Sequence, residues 1–254
     1  MRLSDTVAQA LITPRYIAGG GDPGWITVPL HRAADWSYGH DPLTPHVLLT
    51  SPDQLIQLRL DPAPDDPGWW AIRHARTADH PGWTATFEAR TPVEIIAAFT
   101  DSLIDPSGPP TATPDPFAPL RDAGWHTPPH LGSLASPDNI AHVWRIGAPG
   151  RDLWSIETAV IQDPTIWRAV FTGTTPLHLI AAVTQSLADR TPITRDPSRI
   201  PGLAHDRMTV HTHHVAAPDI AFALERRVSA LAARHRPATT APPAPHGRSP
   251  CRTR

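Results

Sequence analysis

Residues 83–103 read WTATFEARTPVEIIAAFTDSL, and 84 positions later residues 167–187 read WRAVFTGTTPLHLIAAVTQSL. Both run Trp-x-Ala-x-Phe, then Thr-Pro, then Ile-Ala-Ala-x-Thr-x-Ser-Leu, and so many coincidences in one order mark an internal duplication. The match extends upstream. Trp70-Ala-Ile72 aligns with Trp154-Ser-Ile156 at the same shift, and Ser51-Pro-Asp53 aligns with Ser136-Pro-Asp138 at a shift of 85. Pro29-Leu30 followed by Trp36 corresponds to Pro119-Leu120 followed by Trp125.

Each copy reads as strands and then a helix. Ser-Pro-Asp is a turn former, and the residues after it, 54–60 and 140–146, largely alternate apolar with polar as a half-buried strand does. Further strands are expected around Trp69, Trp70 and Ile72, then around Trp83, Ala85 and Phe87, with counterparts at Trp154, Ile156, Trp167, Ala169 and Phe171. Short Pro/Gly-rich connections favour an antiparallel meander. Thr91 at the N-cap, Pro92 at the first position and Glu94 at the third predict a capping box ahead of the stripe Val93, Ile96, Ala97, Phe99 and Leu103. The second copy has Thr175-Pro176 with His178 in place of the Glu, and repeats the stripe.

The expected class is therefore α+β: two tandem repeats, each an antiparallel meander of three to four strands followed by one helix packed on the sheet, in a pseudo-twofold arrangement. The predicted boundaries are 14–105 for the first repeat, 106–116 for a Pro-rich linker, 117–190 for the second repeat, and 191–235 for an extension. Within the extension, 208–215 suggests an extra strand, and Asp219 caps an amphipathic helix with Ile220, Leu224, Val228 and Leu231 on one side. Residues 236–254 are Pro, Ala, Thr, Ser and Arg, a composition that predicts a disordered basic tail.

Composition narrows the chemistry. The 254 residues include 32 Pro, and all 22 basic residues are Arg, which excludes a lysine Schiff base, a P-loop lysine or a lysine general base. The single Cys251 permits no internal disulfide, and no run of apolar residues is long enough to span a bilayer, so a soluble cytoplasmic protein without membrane contact is expected. Charge is uneven. Residues 1–189 hold 11 Arg against 20 Asp and Glu, a formal −9, whereas residues 190–254 hold 11 Arg against 4 acids, a formal +7.

Pro14-Arg-Tyr-Ile-Ala-Gly-Gly-Gly-Asp22, the Pro-Leu pairs before Trp36 and Trp125, the Ser-Pro-Asp turns and the Trp-x-Ala-x-Phe and Thr-Pro blocks together resemble the actinobacterial domain of unknown function numbered 317. The resemblance covers residues 14–190 in two copies. It implies a bacterial intracellular setting and assigns no activity and no site residue.

No motif points to catalysis or to a cofactor. Gly19-Gly-Gly-Asp22 lacks both the Gly-Lys-Ser/Thr end of a phosphate loop and the Rossmann spacing, so it reads as a turn. Asp61, Asp65 and Asp66 lie among prolines as turn residues. His211, His213 and His214, with His205 nearby, are weak metal candidates, and His211 and His213 share one face of the expected strand. Trp70, Trp83, Trp154 and Trp167 at matched places read first as core between sheet and helix. They read second as a base-stacking surface, because a duplicated meander with helices resembles in outline the Whirly and PUR single-strand-binding folds.

Arg59, Arg73, Arg76, Arg90, Arg145 and Arg168 lie on or beside strands, and Arg226 and Arg227 lie on the last helix. These eight form the expected nucleic-acid or partner surface. The expected function is a non-catalytic protein-interaction module, binding an unidentified protein or a second copy of itself through the sheet or the last helix. The alternative is a single-stranded nucleic-acid binder using the sheet and the basic C-terminal segment.

Overall fold

A computed structural model describes residues 6–39, 46–61, 69–128, 133–147, 152–160 and 165–235. The expected disordered tail, Asp65 and Asp66 lie outside these residues. In the first repeat, helix α1 (Gly24–Ala33) precedes strands β2 (Ser37–Gly39), β3 (Val47–Thr50), β4 (Ile56–Leu60), β5 (Trp70–His74) and β6 (Trp83–Phe87), and helix α2 (Val93–Leu103) follows. The second repeat runs α3 (Ala118–Asp122), β7 (Ser133–Ala135), β8 (Ala141–Ile146), β9 (Leu153–Ala159), β10 (Thr165–Thr172) and α4 (Leu177–Ala188).

The Ser-Pro-Asp turns are built alike. The residue after Asp takes a left-handed conformation in both, Gln54 at φ 61° and Asn139 at φ 59°. Its amide donates to the Ser carbonyl, at 2.9 Å from Gln54 to Ser51 and 2.8 Å from Asn139 to Ser136. The Ser51 and Ser136 hydroxyls then accept the amides of Ile56 and Ala141, both at 2.9 Å, which starts β4 and β8 in the same register.

All nine of these strands join in one antiparallel sheet of order β2-β3-β4-β5-β6-β10-β9-β8-β7. The repeats are fused at β6 and β10, where Phe87 faces Ala169, Thr86 faces Val170 and Phe171 faces Ala85. A shift of 84 residues turns Phe87 into Phe171 and Ala85 into Ala169, so the register maps onto itself and a pseudo-twofold axis passes through the Thr86 and Val170 pair. The ends of the seam are closed by equivalent side chains. Glu88 Oε2 accepts the Arg168 amide at 2.9 Å, and Thr172 Oγ1 accepts the Thr84 amide at 3.0 Å.

All helices of the repeats lie on one side of this sheet, since the alternation sends Leu58, Trp70, Ile72, Ala85, Phe87, Trp154, Ile156, Trp167 and Phe171 into a single core with the α2 and α4 residues Ile96, Phe99, Ile180 and Val183. Four matched Trp are therefore core: Trp70, Trp83, Trp154 and Trp167 are at most 6 % exposed. Phe87 and Phe171 meet edge to face at 5.4 Å over the axis, and Phe99 stacks on Phe171 at 5.9 Å.

Two features differ from the sequence reading. The capping box does not form. Thr91 Oγ1 is buried without a partner, the Val93 amide donates instead to Gly20 C=O at 2.7 Å, and the Glu94 carboxylate is taken by Arg195 at 2.6 Å. A buried ion pair outcompetes a backward reach to one backbone amide. The N-terminal segment, for which the sequence reading expected no element, is a strand, β1 (Thr6–Thr13). It lies between β11 (Ile193–Arg195) and β12 (Thr209–Ala216) in a second, three-stranded antiparallel sheet. Helix α5 (Ala217–His235) continues from β12 and packs Val228 and Leu231 against Ala33 of α1.

Because both repeats share one core, the chain is expected to unfold in a single transition. Phe171→Ala should cost about 3–5 kcal/mol, lowering the midpoint for both halves together when urea unfolding is followed by Trp fluorescence and by far-ultraviolet circular dichroism. Two separate transitions would contradict the shared core.

Candidate functional site: the open sheet face

The face of the nine-stranded sheet opposite the helices carries Gln57, Arg59 and Arg73 from β4 and β5, and Thr84 and Thr86 from β6. From the second repeat it carries Arg168, Val170 and Thr172 of β10, Leu153 and Glu157 of β9, and His142, Trp144 and Ile146 of β8. These side chains are exposed or half-buried. The small Ala71 and Ser155, equivalent under the 84-residue shift, are the buried exceptions.

Register sets the local chemistry. Gln57 faces Arg73 and Arg59 faces Ala71, so two guanidinium groups sit on adjacent strands of the first repeat. Arg59 lies 3.9 Å from Asp61 at the strand end. At the centre, Arg168 pairs with Glu157 at 3.1 Å, and Glu157 also accepts the Thr165 hydroxyl at 2.7 Å. Burial pushes the neighbouring Glu88 carboxyl up, against the opposing pull of the Arg168 amide and guanidinium. The second repeat presents Trp144 and the 45 % exposed Ile146 instead of Arg. Its face is thus basic on one flank, mixed at the axis and apolar on the other.

The eight expected surface arginines divide by position. Arg59, Arg73 and Arg168 belong to this face. Arg76 and Arg90 lie on exposed connections at its margin. Arg145 points to the helix side, 5.7 Å over the Trp154 ring and paired with Asp152 at 2.8 Å. Arg226 is exposed on α5, far along the chain from the sheet, and Arg227 is an internal strut: it grips both Asp101 oxygens at 2.9 and 2.7 Å, donates to Trp25 C=O at 2.8 Å and lies over the Trp25 ring.

Arg227 is one of three such struts that bind the elements flanking the repeats to the helix layer. Arg195 grips Glu94 at 2.7 and 2.6 Å and donates to Gly19 C=O at 3.0 Å. Arg15 pairs with Asp189 and donates to Ser186 Oγ at 3.2 Å. Nothing in the sequence spacing signals these pairs, because the partners stand 101 to 174 residues apart. The glycine triplet serves the same clasp. Gly19 and Gly21 have φ of 79° and 88°, and a Cβ on Gly20 would meet Ala89 C=O at 2.5 Å.

His211 and His213 lie opposite Leu11 and Gln9 in the β1 and β12 ladder, while His214 faces the other way opposite Ala8. Among the described residues no three His, Cys, Asp or Glu side chains converge as metal ligands, and no helix is long and apolar enough to cross a membrane.

A duplicated α+β protein with one covered and one open sheet face is the class these features define. Residues 50–109 and 135–193 each match the family model of SPDY, a domain of unknown function (DUF317), so two tandem stretches of the chain are similar to that domain. Each match runs from the Ser-Pro-Asp turn through the helix that follows the meander. Neither a curated relative nor a solved structure matches the chain.

Burial should separate the struts from the face. Arg195, 6 % exposed at the side chain, is expected to cost about 3–5 kcal/mol when changed to Ala, because Glu94 is left without its cation. Arg168, 46 % exposed, is expected to cost no more than about 1 kcal/mol. Urea unfolding of Arg195→Ala and Arg168→Ala measures both; equal costs would contradict the assignment.

Proposed function

We propose that the protein is a non-catalytic binding module of the bacterial cytoplasm that takes a protein partner on the open face of its nine-stranded sheet. The observation that carries this reading is the one-sided layering: a continuous sheet spanning both repeats exposes alternate side chains of every strand from β4 to β8, and among the described residues no element lies over them. The edge strands β2 and β7 have only 3 residues each, which leaves little backbone for strand addition and favours the face over the edge. Basic, mixed and apolar zones side by side suit a folded partner of uneven polarity. A lone Cys251 fits a reducing compartment.

A second reading, single-stranded nucleic acid, is favoured by Arg59 and Arg73 on adjacent strands with Trp144 on the same face. It is ranked lower because the axis of the face holds Glu88 and Glu157, which repel a phosphate chain, and because the four matched Trp are core.

Fluorescence anisotropy of labelled single- and double-stranded DNA with the full chain at low salt separates the two. The protein-partner reading expects no binding; salt-sensitive single-strand binding abolished by Arg73→Glu would install the second reading. In a bacterial expression host, the pair Arg73→Glu with Trp144→Ala is expected to reduce retention of a co-purifying partner at least tenfold with unchanged Tm. Arg226→Glu should leave retention intact.

A further inference from the structure

Of the four strands that end the two sheets, three are guarded by brevity, since β2, β7 and β11 have 3 residues each. The fourth, β12, has 8. It pairs with β1 along its whole length without a bulge, and among the described residues no strand pairs with its outer edge. Thr209–Ala216 contains no Pro, Arg, Asp or Glu, so the devices that usually blunt an edge are missing from it. The outer row of amides and carbonyls is a template for one more strand.

Apolar surface continues past the strand. No residue of β12 is fully buried. Helix α5 leaves directly from Ala216, and its apolar stripe outruns the body: Val228 and Leu231 are buried against Ala33, whereas Ile220 is 41 % exposed and Phe222 is 57 % exposed. Val7, which faces Val215 in the ladder, is exposed as well. Uncovered apolar side chains therefore gather at the Ala216 end of the same strand whose edge is open.

We propose that β12 pairs antiparallel, about a two-fold axis, with β12 of a second copy of this chain, which joins two three-stranded sheets into one of six strands. Two features select this occupant. A strand paired with its own image offers each open amide an open carbonyl at matching spacing. It also has no carboxylate or guanidinium to set against its own image, so self-pairing meets no like-charge repulsion from such groups. Antiparallel pairing brings the Ala216 end of one strand, with Ile220 and Phe222 beyond it, beside the Thr209 end of the other, where Met208 and Val210 are half-buried. The contact lies on the helix side and leaves both open sheet faces free, so the inference does not rest on the sheet-face reading.

An edge of 8 residues makes a small interface, and a dimer that forms between about 1 and 100 µM is expected. Sedimentation of the full chain should show the mass doubling over that range. Over the same range, alternate amides of β12, those not bonded to β1, should slow in hydrogen exchange by at least about tenfold, the signature of a strand added at the edge. His211→Lys with His214→Lys changes two exposed side chains, one on each face of the strand, and sets like charges across the axis. This variant should stay monomeric at about 100 µM with unchanged Tm. An unaltered chain that is monomeric at about 100 µM, or a dimer in which the outer amides of β12 still exchange fast, would overturn the proposal. So would outer amides already protected in the monomer at about 1 µM, because the edge would then be covered within its own chain.

Discussion

The pairing of β6 with β10 is the constraint on which the rest of the molecule depends. A single meander with one helix would leave the last strand as an open edge. Here the edge of each copy is satisfied by the equivalent edge of the other, in the one register that sets Phe87 opposite Ala169 and Ala85 opposite Phe171. Large faces small twice across the axis, which lets Phe87, Phe171 and Phe99 pack edge to face and stacked beneath the sheet instead of colliding. Glu88 and Thr172 then close the backbone ladder where the strands diverge. Fusion at this seam is also what makes the open face continuous from one repeat to the other.

The elements that flank the two repeats are tied down by a different kind of interaction. Strand β1, strands β11 and β12 and helix α5 bury little apolar surface of their own, and Ala10, Ile12, Ala18 and Ile193 form only a small satellite core. Three arginines compensate by bridging to Glu94, Asp101 and Asp189 on the helix layer. Each also donates to a backbone carbonyl or hydroxyl, which is what a buried guanidinium requires. Clasping β1, β11, β12 and α5 on the helix side keeps these elements off the sheet face.

The duplication, the strands β4 to β6 and β8 to β10, the helices α2 and α4 and the role of the matched Trp as core were legible in the sequence, because period-2 and period-3.6 patterns are local and were written twice. What was not legible is non-local. The Thr91, Pro92 and Glu94 pattern is a sound capping signal in isolation, but it yields to an arginine about a hundred residues away. Thr6–Thr13 alternates weakly and becomes a strand only because β11 and β12 flank it. The division of the arginines was hidden for the same reason: Arg168 and Arg227 look alike in sequence, and burial alone makes one a surface group and the other a strut.

The measurement that bears most directly on the fused, pseudo-twofold sheet is amide hydrogen exchange at its axis. Antiparallel alternation, with Glu88 N–H bonded to Arg168 C=O at 3.0 Å, puts the bonded pair of the seam at Thr86 and Val170. These two amides should exchange only by global unfolding, with protection equal to the slowest amides of β5 and β9. Fast exchange at Thr86 and Val170, with β5 and β9 still protected, would mean that each repeat folds alone and the seam is open.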